Sequence, residues 1–535
     1  MKRGMISAPQ PEAVDAAADM FALGGNAVDA AVACAFVQGV VDPLMCGIAG
    51  FGSMQLYLPA NNTHECIDFH GRAPIAATAS MWEDLIEGET RDGFGFILKG
   101  RVNEIGYQSI TVPGSLKAYY EAHQDYGRLE WKTIIKPAIN YASNGWVVRP
   151  HVHYWWSMRD HLGRIPNPER IEFSRSGKSL YCDEHGRPKQ VGAKVVNEDL
   201  ASTLMRIADS GADTFYTGEI AQEIAKDMSA NGALLSLEDL TNYNTTRSKP
   251  LWGNYRGYDL STNNPPGGGI MLVEMLNILE NFDLRSMGHN TSEYIRVVCE
   301  TMKRATNDKD NLVGDPNFID VPLAHLTSKT YAEEQAHAIK NGDFTDVQRL
   351  TSFAEAKDTT HISVVDTDGN AVSMTHSLGM PSGVITPGLG FMYNGCMGVF
   401  DPRPGRAGSI SPGKGRFSSI CPSILFRDGQ PCMVIGAPGG TQIAMGVLQA
   451  ILNVIDFDMS MVEAVSAPRF SSTSNLIDVS NRISRHVTRP LEQMGYQVIR
   501  SPYGFGFGAV HGMNLVGGKW QGAADPGHDG MVVEI

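Results

Sequence analysis

Asp358-Thr359-Thr360-His361-Ile362-Ser363-Val364-Val365-Asp366-Thr367-Asp368-Gly369-Asn370 is the stretch on which the reading of this chain turns. Thr360 to Val365 is rich in strand-favouring residues, Asp366 to Asn370 supplies turn residues, and Ala371-Val372-Ser373-Met374-Thr375 returns as a second strand. The same residues fit a chemical role. A threonine hydroxyl is a weak nucleophile unless a base adjoins it, and a terminal amine on the same residue is such a base. A free α-amino group titrates near pKa ~7.7–8.0, so a useful fraction is neutral at physiological pH and can take the hydroxyl proton. Scission between Asp358 and Thr359 would create nucleophile and base together, which makes the intact chain a zymogen. Taken alone, the stretch does not separate a plain strand start from a nucleophile; the rest of the chain does.

With 535 residues the chain has enough length for two to four domains, although large α+β enzymes often form one body. Acidic residues outnumber basic ones, 58 to 44, and the formal charge of -14 argues against nucleic acid as a standing partner. It leaves an anionic substrate open, because local cations decide that. Hydrophobic content of 42% with 57 Gly and 28 Pro describes a globular chain rich in turns. The longest apolar run, Ala30 to Val37, is far short of the ~20 residues that span a bilayer, so no membrane partner is expected. The start Met1-Lys2-Arg3-Gly4 lacks an apolar signal region. A cytoplasmic location is expected, or a periplasmic or secreted one if a leader was trimmed. The eight cysteines include no C-x-x-C pair, so reduced, mostly buried thiols are expected, with no zinc site and no cofactor.

Pro11 to Leu23 reads as a helix stopped at Gly24-Gly25, and Asn26 as the N-cap of a second helix through Val40. The turn Gly47-Ile48-Ala49-Gly50-Phe51-Gly52 leads into a strand from Met54 to Leu58, and its helix-to-strand order speaks against phosphate binding. Pro113-Gly114 to Trp146 is patterned as helix. Residues 155–195 carry mixed charge with little periodicity and read as an excursion over the surface. Leu272, Met275, Leu276 and Leu279 share one helix face behind Pro265-Pro266-Gly267-Gly268-Gly269, and helical patterns continue past Tyr294 to Ile339. After Thr359 strands with tight turns prevail, Arg427 to Gln430 among them.

Six ordered blocks, besides the Thr359 stretch, resemble the γ-glutamyltransferase (glutathione hydrolase) family of N-terminal-nucleophile hydrolases: Leu23-Gly24-Gly25-Asn26-Ala27-Val28-Asp29, Pro265-Pro266-Gly267-Gly268-Gly269, Gly314-Asp315-Pro316-Asn317-Phe318, Ser418-Ser419-Ile420-Cys421-Pro422, Ala437-Pro438-Gly439-Gly440 and Ala467-Pro468-Arg469-Phe470. The resemblance implies an α+β, αββα four-layer sandwich. It implies self-cleavage into a large fragment, 1–358, and a small one, 359–535, associated as a heterodimer that is open to further oligomerisation. It also implies Thr359 as nucleophile, Gly439 and Gly440 as backbone oxyanion donors, Thr375 and Ser377 as hydroxyls beside the nucleophile, and Ser418 and Ser419 as a substrate-carboxylate pair. Ser377 stands where Thr is usual. The run from Asp401 through Arg403 and Arg406 to Lys414 resembles a lid loop, whose cations are equally readable as solvated.

Two departures bear on substrate. Where the family has an Arg that grips the α-carboxylate, Asp68-Phe69-His70-Gly71-Arg72-Ala73-Pro74 places His70, and an imidazole does not replace a bidentate guanidinium. Arg72, two residues on and therefore on the same strand face, is the candidate substitute. In Asn394-Gly395-Cys396-Met397-Gly398-Val399-Phe400, Val399 stands where an Asp binds the α-ammonium, and Gly379 replaces an Asn at the amino-acid end. The engine is kept while the glutamyl clamp is eroded. The expectation is a self-processing threonine amidohydrolase for a small amide with an acidic group, similar to acylases for glutaryl-type β-lactam side chains or amidases for acids such as oxamate. The competing readings are a true γ-glutamyl hydrolase or transferase for glutathione-like compounds, and a non-catalytic binding scaffold.

Overall fold

The computed structural model describes residues 3–90, 93, 95–159, 164–349, 359–501 and 507–535; Asp358 of the expected cleavage site lies outside the described residues. Two antiparallel sheets stack face to face. The first runs in the order Met531–Glu534, Gly4–Ala8, Thr360–Asp366, Ala371–Ser377, Phe51–Leu58, Thr63–Phe69 and Thr246–Ser248. The second runs Lys519–Ala524, His511–Val516, Gln430–Gly436, Ser423–Arg427, Tyr258–Thr262 and Leu251–Tyr255. Helices Pro11–Ala22 and Ala27–Val41 cover the first sheet, and Gly269–Leu279 and Ile443–Ile455 cover the second, which gives the αββα order.

Thr360–Asp366 sits near the middle of the first sheet and is buried along its whole length, so it faces protein on both sides. Ile362 and Val364 join the helix-side core, while Val365 joins Ile424, Phe426, Val434 and Met513 between the sheets. Period-two alternation then directs Thr359, His361 and Ser363 into the inter-sheet layer as well. Ala27–Val41 and Gly269–Leu279 are buried nearly all round, which explains why Ala27–Val41, rich in Ala and Val, shows no polar stripe.

The expected hairpin forms, and its turn is tied to the helix layer. Asp366 accepts from the amides of Asp368 at 3.0 Å and Asn370 at 3.1 Å, and from Ala27 N–H at 2.9 Å, where Asn26 caps the helix with a capping box. The expected helices appear as Pro11–Ala22 and Ala27–Val41, and Pro113 to Trp146 divides into Ser115–Tyr126 and Trp131–Asn144. One expectation fails. Among the described residues, 155–195 is not wholly a surface excursion: it contains short helices whose Trp156, Arg170, Ile171 and Tyr181 are among the buried side chains. The Arg170 guanidinium donates to the carbonyls of Glu104 at 2.6 Å and Pro381 at 2.9 Å, so a residue that reads as surface charge fastens the segment inward. All eight thiols are unbridged, seven of them buried. No helix among the described residues is long and apolar enough to cross a membrane.

Candidate active site

Thr359 immediately precedes the central strand and is 4% exposed, with its Oγ1 3.2 Å from Ser377 Oγ on the neighbouring strand. Ser377 Oγ accepts the Gly379 N–H at 2.7 Å, which directs its own proton toward other acceptors, Thr359 included. Thr375 lies one pleat deeper on the same face, and its hydroxyl bonds His361 Nδ1 at 2.8 Å. The structure therefore brings Ser377 to Thr359, whereas the Thr375 bond goes to an imidazole beneath it. His361 Nε2 continues to Ser363 Oγ at 2.9 Å, and a Cβ on Gly436 would overlap the His361 ring, so that glycine is what admits an imidazole between the sheets.

On the helix side a second chain of bonds holds the same strand. Thr360 Oγ1 accepts from Gln38 Nε2 at 3.1 Å; Gln38 Oε1 accepts from His376 Nε2 at 2.7 Å; and Tyr119 donates to His376 Nδ1 at 2.6 Å. That arrangement requires a neutral imidazole. Burial pushes His376 down to about 3, and burial with the nearby His511 and His376 holds His361 well below the ordinary imidazole value. Both rings are therefore neutral and weakly basic at neutral pH.

Two voids of about 30 Å³ flank Thr359. Gly440 lines one and Gly439 the other, so the pair brackets Thr359. Gly439 has φ 140° and Gly440 φ 52°, conformations that glycine adopts without the penalty a side chain brings. Gly440 opens the short turn Gly440–Gln442 that runs into Ile443–Ile455, so the amide-rich end of this helical stretch lies beside the hydroxyl. Charge developing on an acyl oxygen near these glycines meets main-chain donors without reorganisation.

Ser418 and Ser419 line the Gly440 void. Their loop is held by the proline-glycine turn: Ser418 N–H donates to Pro266 O at 2.9 Å, Gly268 N–H to Ile420 O at 2.8 Å, and a Cβ on Gly268 would come within 2.5 Å of the Ser419 carbonyl. The Asp315 carboxylate accepts Gly415 N–H at 2.7 Å and pins the preceding residues. Two sequence blocks far apart thus serve as supports for one loop.

At the acyl end, Gly379 and Val399 line the same void, with Phe51 and Arg416. His70 does not line it; it is buried behind Phe51, ring centroids 5.7 Å apart, with Nδ1 2.8 Å from Asp68 Oδ1. Arg72 points elsewhere, donating to Thr246 Oγ1 at 3.1 Å and Asn244 O at 3.4 Å and lying over the Tyr243 ring. The guanidinium that reaches the pocket is Arg416, which the sequence reading did not single out. It is 3% exposed, lies 4.3 Å from the Phe51 ring centroid, and among the described residues pairs with no carboxylate. Burial lowers its pKa, offset by the neighbouring Cys396 thiol. The signal for it was indirect: a cation two residues before Ser418-Ser419, combined with a glycine at 379.

The lid-like run is anchored to the protein at both ends, with 404–406 exposed between them. Lys414, 3% exposed, donates to Ala407 O at 2.7 Å and Ser409 O at 3.0 Å and is not solvated, whereas Arg403 pairs with Asp401 at 2.7 Å while partly exposed and Arg406 is exposed. Outside them a cavity of about 530 Å³ opens, sharing Lys309, Val399 and Phe417 with the void at Thr359 and lined further by Arg403, Arg406 and Arg349.

The sequence matches the family profile described as gamma-glutamyltranspeptidase over residues 13–535. It is 36% identical to the acylase ACY 1 proenzyme of Pseudomonas sp. (strain SE83), over 100% of this chain and 94% of that one. It is 31% identical to the glutathione hydrolase proenzyme of Bacillus subtilis (strain 168), over 100% of this chain and 92% of the relative. The crystal structure of cephalosporin acylase from Bacillus halodurans superposes with a TM-score of 0.86 at 27% identity, over 99% of this chain and 96% of that one.

Proposed function

The chain belongs to the γ-glutamyltranspeptidase family of self-processing hydrolases, and from that premise we propose that it removes, through an ester on Thr359, an acyl group that ends in a carboxylate and carries no α-ammonium. The observation that carries this reading is Arg416: a buried guanidinium beside the nucleophile with no carboxylate of its own among the described residues. Leaving such a charge buried is unfavourable unless something anionic meets it, and a substrate carboxylate does so by charge-assisted hydrogen bonds.

In the precursor, Thr359 Oγ1 attacks the carbonyl that precedes it; the C–N bond breaks as the ester forms, which frees the threonine amine, and water then hydrolyses the ester to free Oγ1 and yield fragments 1–358 and 359–535. In turnover the amine takes the Oγ1 proton as the hydroxyl adds to the substrate amide carbon. Gly439 and Gly440 amides stabilise the oxyanion, and the proton passes to the departing nitrogen. Water then attacks the ester by the same route. Ser377 orients Oγ1 in each step, and the outer cavity with Lys309 and Arg403 takes the leaving portion.

A γ-glutamyl group has both a carboxylate and an ammonium. Val399 offers the ammonium no acceptor, which supports the acylase reading over the glutamyl one. Glutaryl and γ-glutamyl anilides differ by that amine alone, so their kcat/KM values, measured on the same processed protein, test the reading. We expect the glutaryl compound to be preferred by ~10-fold or more, in line with what an unpaired ionic group loses in a pocket. Preference for the glutamyl compound overturns the substrate assignment. Loss of processing and of turnover together in Thr359→Ala, seen as one band in denaturing electrophoresis, tests the nucleophile, and two bands from that variant overturn it.

A further inference from the structure

Beyond the Gly439 side of the nucleophile lies a cluster that the acyl chemistry leaves unused. Asp42, His151 and His528 each offer one ligand atom, and the three atoms lie within 4.8 Å of one another. Asp42 caps the end of the helix Ala27–Val41, His151 sits in the helix Pro150–Trp156, and His528 ends the turn Pro526–His528 near the C-terminus. Asp42 and His528 are buried. His151 and His528 rings stand 4.5 Å apart, tilted by 56°.

His528 is the anomaly. It is 4% exposed, and neither of its ring nitrogens has a hydrogen-bond partner among the described residues. A neutral imidazole always presents one donor and one acceptor, and burying both without partners is unfavourable. Around it the other members are braced. Gln10 Nε2 donates to Asp42 Oδ2 at 2.9 Å, Gln38 Nε2 donates to Gln10 Oε1 at 2.9 Å, and His151 is hydrogen-bonded to the Gly527 backbone. Partners of this kind on a carboxylate and an imidazole are what ligating side chains commonly have behind them.

The charges point to a dication. Arg149 is paired with Glu12 at 2.6 Å and Asp529 at 3.0 Å, and it also faces Asp42. Three carboxylates thus meet one guanidinium, and a doubly charged ion brings that group to neutrality. Two imidazoles with one carboxylate suit zinc, cobalt or nickel and not magnesium or calcium. Three atoms 4.8 Å apart place a central ion about 2.8 Å from each, so closure to the ~2.0–2.2 Å of zinc bonds requires each ligand to move by about 0.6–0.8 Å. Side-chain rotation supplies that.

We propose that Asp42, His151 and His528 bind one divalent transition-metal ion, which clips the C-terminal segment to the first 160 residues next to Thr359. Both histidines line the void that reaches Thr359 and Gly439, so its remaining coordination position faces a space of about 30 Å³, enough for a water. The site escapes notice in the sequence because its ligands are far apart, and the expectation of no zinc rested on cysteine spacing alone. Such a metal clip is independent of whether the backbone is cut before Thr359 and of which acyl group is removed.

The test uses untagged full-length protein freed of metal by chelation, titrated calorimetrically with zinc chloride and followed by thermal melting. We expect one ion per chain with a micromolar or tighter Kd, a higher Tm with zinc, and at least 100-fold weaker binding in both His528→Asn and Asp42→Asn. Cobalt added to the apo protein gives visible d–d absorption that both variants lose, a readout that a purely structural histidine does not move. Absence of saturable binding, or full-strength binding retained in either variant, overturns the proposal.

Discussion

A Cβ on Gly379 would come within 3.3 Å of the Arg416 Nη2 atom, 3.2 Å of the Phe51 ring and 2.5 Å of Cys396 Sγ, so the missing side chain at 379 is what gives the guanidinium its place. The glycine also has φ +74°, where a substituent is strained. Restoring the family's asparagine by Gly379→Asn is therefore expected to destabilise by about 1–3 kcal/mol, as overpacking does. It should also raise KM for glutaryl anilide more than it lowers kcat, because the guanidinium is displaced while Thr359 is untouched. Urea unfolding with steady-state kinetics checks both, and an unchanged KM contradicts the shared space.

Arg416 itself gives a sharper separation. Hydrogen bonds to a charged group contribute about 1.5–3 kcal/mol. Arg416→Ala is then expected to lower kcat/KM for glutaryl anilide by roughly 10- to 150-fold, and for uncharged butyryl anilide by less than about threefold. Arg416→Lys should recover only part of the loss, since an ammonium lacks the planar fork. Equal losses on both anilides would assign Arg416 to folding.

The local geometry around Thr359 was legible because its parts are local. Thr359, its hairpin, Asn26 as a cap and Gly439-Gly440 are set by short-range pattern, and the structure places them as that pattern reads. The anion end was not, because it is made by what is absent. Arg72 looked suitable from its position two residues after His70, yet Tyr243, Asn244 and Thr246, from a distant segment, hold it at the rim. Residues 155–195 misled for a related reason: Arg170 and Tyr181 read as polar surface, but buried carbonyls of Glu104 and Pro381 make an inward guanidinium favourable. No periodicity encodes such partners.

Ser377 accepts from Gly379 N–H at 2.7 Å while standing 3.2 Å from Thr359 Oγ1, so it fixes the nucleophile and the acyl-pocket backbone together. Ser377→Ala leaves a buried amide without its acceptor, a loss of about 1–3 kcal/mol, and removes the contact that orients Oγ1. The expected outcome is slower self-cleavage and a fall in kcat of about 10- to 100-fold, of the order a positioned hydrogen-bonding group supplies. Ser377→Thr, which restores the family's usual residue, should retain most of both rates. Densitometry of processing over time, with kcat on the processed fraction, gives the two numbers. A Ser377→Ala protein that matures and turns over normally removes Ser377 from the mechanism.

Acid should unfold this protein through imidazoles that support the catalytic strand. His376 is held down to about 3 by burial, and its bonds to Tyr119 and Gln38 need the neutral ring; His361 is likewise held well below the ordinary value. In the unfolded chain both titrate near ~6.5. Between those values the unfolded state binds protons that the folded state does not, so stability increases with pH there. Their contribution is complete above ~6.5 and is lost as pH falls toward the folded-state values, by about 1.4 kcal/mol per pH unit for each ring. Urea midpoints are therefore expected to be level from pH 9 to 7 and to drop steeply below 6.5. His376→Gln should flatten part of that slope. Activity has a different alkaline dependence, since kcat/KM follows deprotonation of the threonine amine near ~7.7–8.0. A protein whose urea midpoint is unchanged between pH 7 and 5 would show that these rings are protonated in the folded state, and the strand support drawn from them would fall.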